Sequence, residues 1–309
     1  MSHLPQPPGV LIFFRIPKTG GNSMDRPLAR CFPGAQHFDA EVGFTGSALL
    51  TRSRERIAAK FEQLAPAEQH AVRCVMGTHV PMGLHTMFDR PAKYFTIVRH
   101  PVDRAVSSFF HLRRSTHIPS YPHIKDMSIE EYLDSGIGLD PFDQQVRMLS
   151  GHSELDVPMD PNGRRIWAPN VERRHLEAAK RNIETHFLAA APIEDFTGML
   201  LFLRAIYGWK LHNLIFRVRN ETPGRPQLER VAEATRRRLA ECNRYDIELY
   251  DWVKERFAEQ IRSLEPEFSR ERRRFELMNG MAQRFGRIAS MPARRLASSL
   301  FAVRPAATG

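Results

Sequence analysis

The residues best suited to chemistry lie in two short stretches. In the first, Ile16-Pro17-Lys18-Thr19-Gly20-Gly21-Asn22-Ser23 follows an apolar run, Val10–Phe14, and leads into a helical pattern. Amides at a helix start point outward unpaired, and two glycines let a phosphate approach closely. Lys18 supplies a cation, and Thr19, Asn22 and Ser23 supply further donors, so an anion should bind here. The plainer alternative is a Pro-Gly turn carrying an exposed lysine. The stretch is not GxxxxGK[ST], because its lysine precedes the glycines.

In the second stretch, Ile97-Val98-Arg99-His100-Pro101-Val102-Asp103-Arg104-Ala105-Val106-Ser107, another apolar run ends in cations, where magnesium-dependent nucleotide hydrolysis would need an acid. Pro101 ends the strand, and Asp103 is expected to open the next helix with Ser107 about one turn in. A guanidinium and a hydroxyl could then converge on one phosphate. The alternative for Arg99 and Arg104 is pairing with surface carboxylates.

The two stretches resemble the 5′-phosphosulfate loop and the 3′-phosphate motif of sulfotransferases that use 3′-phosphoadenosine-5′-phosphosulfate (PAPS). The likeness is greatest to the carbohydrate-type group, which includes heparan sulfate 2-O-sulfotransferases and bacterial members, and it spans about residues 9–265. It implies a P-loop-like three-layer α/β fold, a central parallel sheet flanked by helices, and sulfuryl transfer from PAPS to an acceptor hydroxyl with adenosine 3′,5′-bisphosphate as product. It implies further that Lys18 contacts the bridging oxygen, that the amides of Thr19, Gly20, Gly21, Asn22 and Ser23 hold the 5′-phosphate, and that Arg99 and Ser107 hold the 3′-phosphate. No metal is expected.

Met76-Gly77-Thr78-His79 resembles the group's Gly-x-His or Gly-His segment, whose histidine is the catalytic base. A histidine suits that task independently, since an imidazole near pKa 6.5 can take a hydroxyl proton at neutral pH, and His79 follows a strand's carboxyl end. His85, His100, Asp39 and Glu41 are the rivals. Asp143-Gln144-Gln145-Val146-Arg147-Met148-Leu149-Ser150-Gly151 resembles an Asn-x-Gln-x-Arg-x-Leu-x-Gly stretch of bacterial members, with Asp143 replacing the asparagine. Gln145 and Arg147 are thereby candidates for lining the acceptor or cofactor cleft; the alternative is a surface helix ending at Gly151. Asn220 to Pro226 resembles a loop that closes over the nucleotide, which assigns Arg225 to it.

These residues need a scaffold, and the chain has the pattern of one. Short apolar segments, Val10–Phe14, Val72–Met76, Tyr94–Val98, Phe187–Ala191 and Leu214–Val218, read as strands of a parallel sheet covered on both faces. Helical stretches are expected at Ser23–Cys31, Asp103–Arg114, Val171–His186, Glu194–Tyr207, Gln227–Cys242 and Asp246–Leu264. Asn170 serves as an N-cap and Gly208 as a C-cap. Prolines and glycines from about 111 to 167 indicate a loop-rich insertion on the acceptor side.

The chain of 309 residues is 42% hydrophobic and 26% charged, as a globular enzyme would be. Its net charge of +10 sits mostly in residues 270–309, where nine arginines face two glutamates. The expected division is a sulfotransferase domain over 1–269 and a basic amphipathic C-terminal tail over 270–309. A duplex-binding face would need its cations in the folded body, so no nucleic-acid partner is expected. The tail's interleaved apolar residues suit peripheral contact with a membrane surface. Cys31, Cys74 and Cys242 follow no CxxC spacing and read as free thiols in a reducing, cytoplasmic compartment. The alternatives left open are a nucleotide-dependent kinase and a non-catalytic module binding a nucleotide or a glycan. The acceptor, whether carbohydrate, glycolipid or another hydroxyl compound, is not encoded in any pattern.

Overall fold

In the computed structural model, residues 4–41, 50–77, 80–118, 120–137, 142–155, 170–217 and 228–289 are described. Five parallel strands, β1 (Val10–Phe14), β2 (His37–Asp39), β3 (Cys74–Met76), β4 (Ala92–Val98) and β5 (Phe187–Pro192), pair in the order β2-β3-β1-β4-β5. The helices are α1 (Gly21–Cys31), α2 (Leu50–Glu62), α3 (Pro66–Ala71), α4 (Pro101–Leu112), α5 (Tyr121–Ile124), α6 (Ile129–Asp134), α7 (Gln144–Ser150), α8 (Arg173–His186), α9 (Phe196–Tyr207), α10 (Glu233–Cys242), α11 (Arg244–Arg262) and α12 (Glu267–Ala289).

β1, β3 and β5 are apolar without a break, and β4 nearly so, because both their faces are covered. Val10, Ile12 and Phe14 of β1 feed one core, together with Val146 of α7, Leu176 of α8 and Leu249 of α11. Leu11 and Phe13 feed the other, with Met24 of α1, Leu200 of α9 and Phe275 of α12. The period of two along one strand thus builds three layers. Because β1 lies between β3 and β4, the loops after these three strands emerge side by side at the sheet's carboxyl edge.

Four of the five expected strands form. The fifth, Leu214–Val218, does not: Leu211–Leu214 is a 3₁₀ turn, and Val218 lies outside the described residues. Leu214 and Phe216 are buried, but the backbone here is bonded by side chains rather than by a strand. Arg30 Nη1 donates to the Ile215 carbonyl at 2.7 Å, and the Phe216 N–H donates to Asn279 Oδ1 at 3.0 Å. The short edge strand β2 carries no apolar run to announce it.

Helix starts also differ from expectation. The N-cap of α8 is Glu172 rather than Asn170. α4 begins at Pro101 with His100 as its N-cap, so Asp103 already lies within the first turn. Gly208 caps α9 in the left-handed conformation, as expected. The helix ending at Gly151 is not a surface helix, since every residue from Gln145 to Ser150 is buried. α12 crosses position 270, and Phe268 and Phe275 on it belong to the core.

Candidate active site

The loop after β1 is built around two left-handed residues, Lys18 at φ 68° and Gly20 at φ 85°. At Gly20 any side chain would be strained, and a Cβ would stand 3.2 Å from Ile193 Cδ1. Gly20 is also the N-cap of α1, whose first turn holds no acidic residue, so the positive end of the helix dipole is left for an anion. The Thr19 side chain turns inward, its hydroxyl donating to the Ile16 carbonyl at 2.9 Å. The Ser23 N–H donates to the Gly20 carbonyl at 2.9 Å. Both contacts shape the loop, and the half-buried Lys18 and Asn22 flank it.

A positive φ at a lysine is uncommon and needs support from its surroundings. Arg99, emerging from β4 next door, supplies it: Nη1 donates to the Lys18 carbonyl at 2.9 Å. Arg99 Nε and Nη2 both reach Asp103 Oδ2 at 2.5 Å. Burial lowers the Arg99 pKa, with the nearby Glu194 carboxylate opposing that shift. The two cationic stretches, 81 residues apart in sequence, therefore form one site.

Ser107 is buried on α4. Six residues beyond Pro101, it lies about 9 Å along the helix, nearer two turns than one. Gln145 is fully buried with its amide set against the Arg99 main chain; Oε1 accepts from the Arg99 N–H at 3.0 Å and Nε2 donates to the Arg99 carbonyl at 2.9 Å. Arg147 is buried as well, its Nε donating to the Phe142 carbonyl at 2.8 Å. It lines a cavity of about 410 Å³ with Asp143, Asn170, Glu241, Cys242 and Arg244.

His79 and Arg225 lie outside the described residues. The rival bases are widely separated. His85 Nδ1 meets the Tyr94 hydroxyl at 3.1 Å, and its ring lies against His186. Tyr94 precedes Arg99 by five residues, about 16 Å along the strand, which sets His85 toward the opposite edge of the sheet. Asp39 and Glu41 are exposed beside Gly77, where a Cβ would come 2.9 Å from the Ala40 backbone. His100 is half-buried against Tyr250, and its pKa is lowered by burial, with Asp251 and Glu194 pulling the other way.

A family model described as "Sulfotransferase family" matches residues 5–189, which hold all five strands but the end of β5 and both cationic stretches. The chain belongs to the sulfotransferase family. This sulfotransferase is therefore an enzyme of sulfuryl transfer from PAPS on a parallel α/β sheet flanked by helices, which sets aside the kinase and non-catalytic alternatives. It is 24% identical over 303 residues to heparan-sulfate 6-O-sulfotransferase 2 of Gallus gallus, across 86% of this chain and 71% of that protein. Among solved structures it resembles a sulfotransferase from Alicyclobacillus acidocaldarius (14% identity, 79% of this chain and 94% of that one, TM-score 0.41). It also resembles mouse sulfotransferase SULT7A1 complexed with PAP (13%, 78% and 85%, TM-score 0.41).

Three carboxylates of this sulfotransferase, Asp103, Glu194 and Asp246, were read from the sequence only as helix starts, and their contacts with the site were not anticipated. Asp103 had a visible signal, its i,i+4 spacing from Arg99. Asp246 had none, since it acts at the start of α7 from 100 residues away. Its carboxylate accepts from the Gln145 N–H at 3.0 Å and the Val146 N–H at 2.7 Å.

Among the described residues, His152, Glu154 and His175 bring their ligand atoms within 4.8 Å of one another. The His175 tautomer opposes metal ligation there. Nδ1 accepts from the Glu172 N–H at 2.9 Å, so the ring proton belongs on Nε2, the atom that faces Glu154.

Proposed function

We propose that the chain sulfates a hydroxyl of a carbohydrate or glycolipid, with Lys18 and the 19–23 loop at the 5′-phosphosulfate, Arg99 and Ser107 at the 3′-phosphate, and His79 as base. In that reaction His79 takes the acceptor proton and the hydroxyl oxygen attacks sulfur. The bond to the bridging oxygen breaks, and Lys18 with the α1 terminus receives the charge left on the phosphate. Arg225 closes over the nucleotide, and Arg147 faces the acceptor from its cavity. The carbohydrate assignment draws support from the likeness to a heparan-sulfate sulfotransferase.

The reading is supported chiefly by the 2.9 Å bond from Arg99 to the Lys18 carbonyl, which sets the two loops side by side. Its test is nucleotide preference. Adenosine 3′,5′-bisphosphate fills both phosphate pockets, whereas AMP fills only the one around Lys18. A charge-assisted bond to arginine contributes about 1.5–3 kcal/mol, so the bisphosphate should bind roughly ten- to a hundred-fold tighter than AMP or magnesium ATP. Arg99→Ala should remove most of that preference, and Arg99→Lys should restore it only in part. An unchanged preference in Arg99→Ala would remove Arg99 from the 3′-phosphate. Transfer of label from radioactive PAPS to a panel of glycans identifies the acceptor.

No helix among the described residues is long and apolar enough to cross a membrane. A peripheral contact draws support from α12, where exposed Leu277 and Met281 share a face with the exposed Arg270, Arg273, Arg274 and Arg284. That face suits an anionic lipid surface.

A further inference from the structure

We infer that Gln145 is a positioning residue for the nucleotide site, fixing the direction of the Arg99 guanidinium through the Arg99 main chain. The inference rests on the reading of Arg99 as the 3′-phosphate ligand.

Arg99 has just left β4, and His100 is the N-cap of α4, so neither strand nor helix bonds fix the Arg99 peptide groups. Gln145 supplies both partners at once, accepting from the N–H at 3.0 Å and donating to the carbonyl at 2.9 Å. A side-chain amide set against one residue's donor and acceptor acts as a short extra strand. It defines where the Cα–Cβ bond of Arg99 points and hence where the guanidinium can reach. From that origin the guanidinium spans to Asp103 and to the Lys18 carbonyl.

Gln145 is itself held from behind. Its own N–H donates to Asp246 Oδ2, and the Asp246 N–H donates to Asp143 Oδ1 at 2.8 Å, tying the starts of α7 and α11 together. With no exposed surface and both ends of its amide engaged, Gln145 reaches the ligand only through Arg99. It touches no reacting atom in this arrangement, so its effect should fall on the 3′-phosphate increment.

The experiment compares dissociation constants for adenosine 3′,5′-bisphosphate and AMP in wild type, Arg99→Ala, Gln145→Met and Gln145→Glu, alongside melting curves. Gln145→Met keeps the length but loses both bonds. The bisphosphate-to-AMP ratio should fall about tenfold, mainly through weaker bisphosphate binding, with AMP affinity little changed. Gln145→Glu gives a readout that ordinary packing would not. As the neutral acid it both accepts and donates as the amide does, whereas the ionised form sets a negative charge against the Arg99 carbonyl and against the Asp246 carboxyl, which also contacts this side chain and favours the neutral form at low pH. Its ratio should match wild type at pH 5.5 and fall toward that of Gln145→Met at pH 8, each compared with wild type at the same pH. Should Gln145→Met fail to fold, the Gln145→Glu profile decides alone. A ratio equal to wild type in Gln145→Met, or a profile parallel to wild type in Gln145→Glu, overturns the positioning role while leaving Arg99 in place. Loss of discrimination in wild type itself would instead overturn the reading of Arg99.

Discussion

At the scale of single residues, the site is an arrangement of cations whose positions are imposed by backbone geometry. Lys18 holds a left-handed conformation that a lysine alone disfavours, and Arg99 secures it by binding its carbonyl. His79→Ala should lower turnover by about 10²- to 10⁴-fold with bisphosphate affinity nearly unchanged, the usual effect of losing a positioned base. Steady-state kinetics together with bisphosphate titration checks this, and near-normal turnover would move the role to His100, Asp39 or Glu41. Lys18 and Arg99 were legible in the sequence because each sits in a local pattern of strand, turn and helix start. The contact of Gln145 with Arg99 was not, because it spans 46 residues and depends on which way α7 faces.

At the scale of elements, α7 and α11 are joined through two buried carboxyls. Burial and the neighbouring Asp246 push the Asp143 pKa up to about 7, and burial raises Asp246 as well, with Arg104 opposing. The unfolded value of an aspartate lies near 3.9, so between that pH and about 7 the folded state holds more protons than the unfolded one. The pair's contribution to stability is therefore greatest below about pH 4 and is lost as pH rises through 7. Asp143→Asn keeps the acceptor for the Asp246 N–H and suits the left-handed φ of 47°, but it cannot ionise. Urea midpoints from pH 5 to 8 should fall more steeply for wild type than for Asp143→Asn; parallel curves would show that the pair does not titrate in this range. The strands β1, β3, β4 and β5 were legible because their apolar runs are nearly continuous. Leu214–Val218 misled because Leu214 and Phe216 are buried while the backbone of Ile215 and Phe216 has side-chain partners, and apolarity alone cannot separate that from a strand.

At the scale of the whole molecule, α12 belongs to the body on one side and is open on the other. Its inner face sets Phe268 and Phe275 in the core, Asn279 holds the Phe216 backbone, and Arg272 pairs with Asp195 at 2.7 Å. Its outer face presents Leu277 at 71% and Met281 at 55% exposure among arginines. The sequence showed the charge and the apolar spacing of this segment but not which residues turn inward, since both faces carry arginines. The two faces should separate under mutation. Phe275→Ala deletes a side chain with no exposed surface and should lower stability by about 3–5 kcal/mol, while vesicle binding of the folded fraction is retained. Leu277→Ser with Met281→Ser removes surface that already faces water, so the melting temperature should hardly move. Each apolar side chain taken into a lipid surface contributes about 1.5–3 kcal/mol when fully buried, so partial insertion of two should still be worth a tenfold change. The double variant should therefore bind phosphatidylserine vesicles at least tenfold more weakly than wild type, and wild type should itself lose most binding at high salt. Equal flotation of the double variant and wild type with such vesicles would exclude the outer face of α12 as a membrane contact.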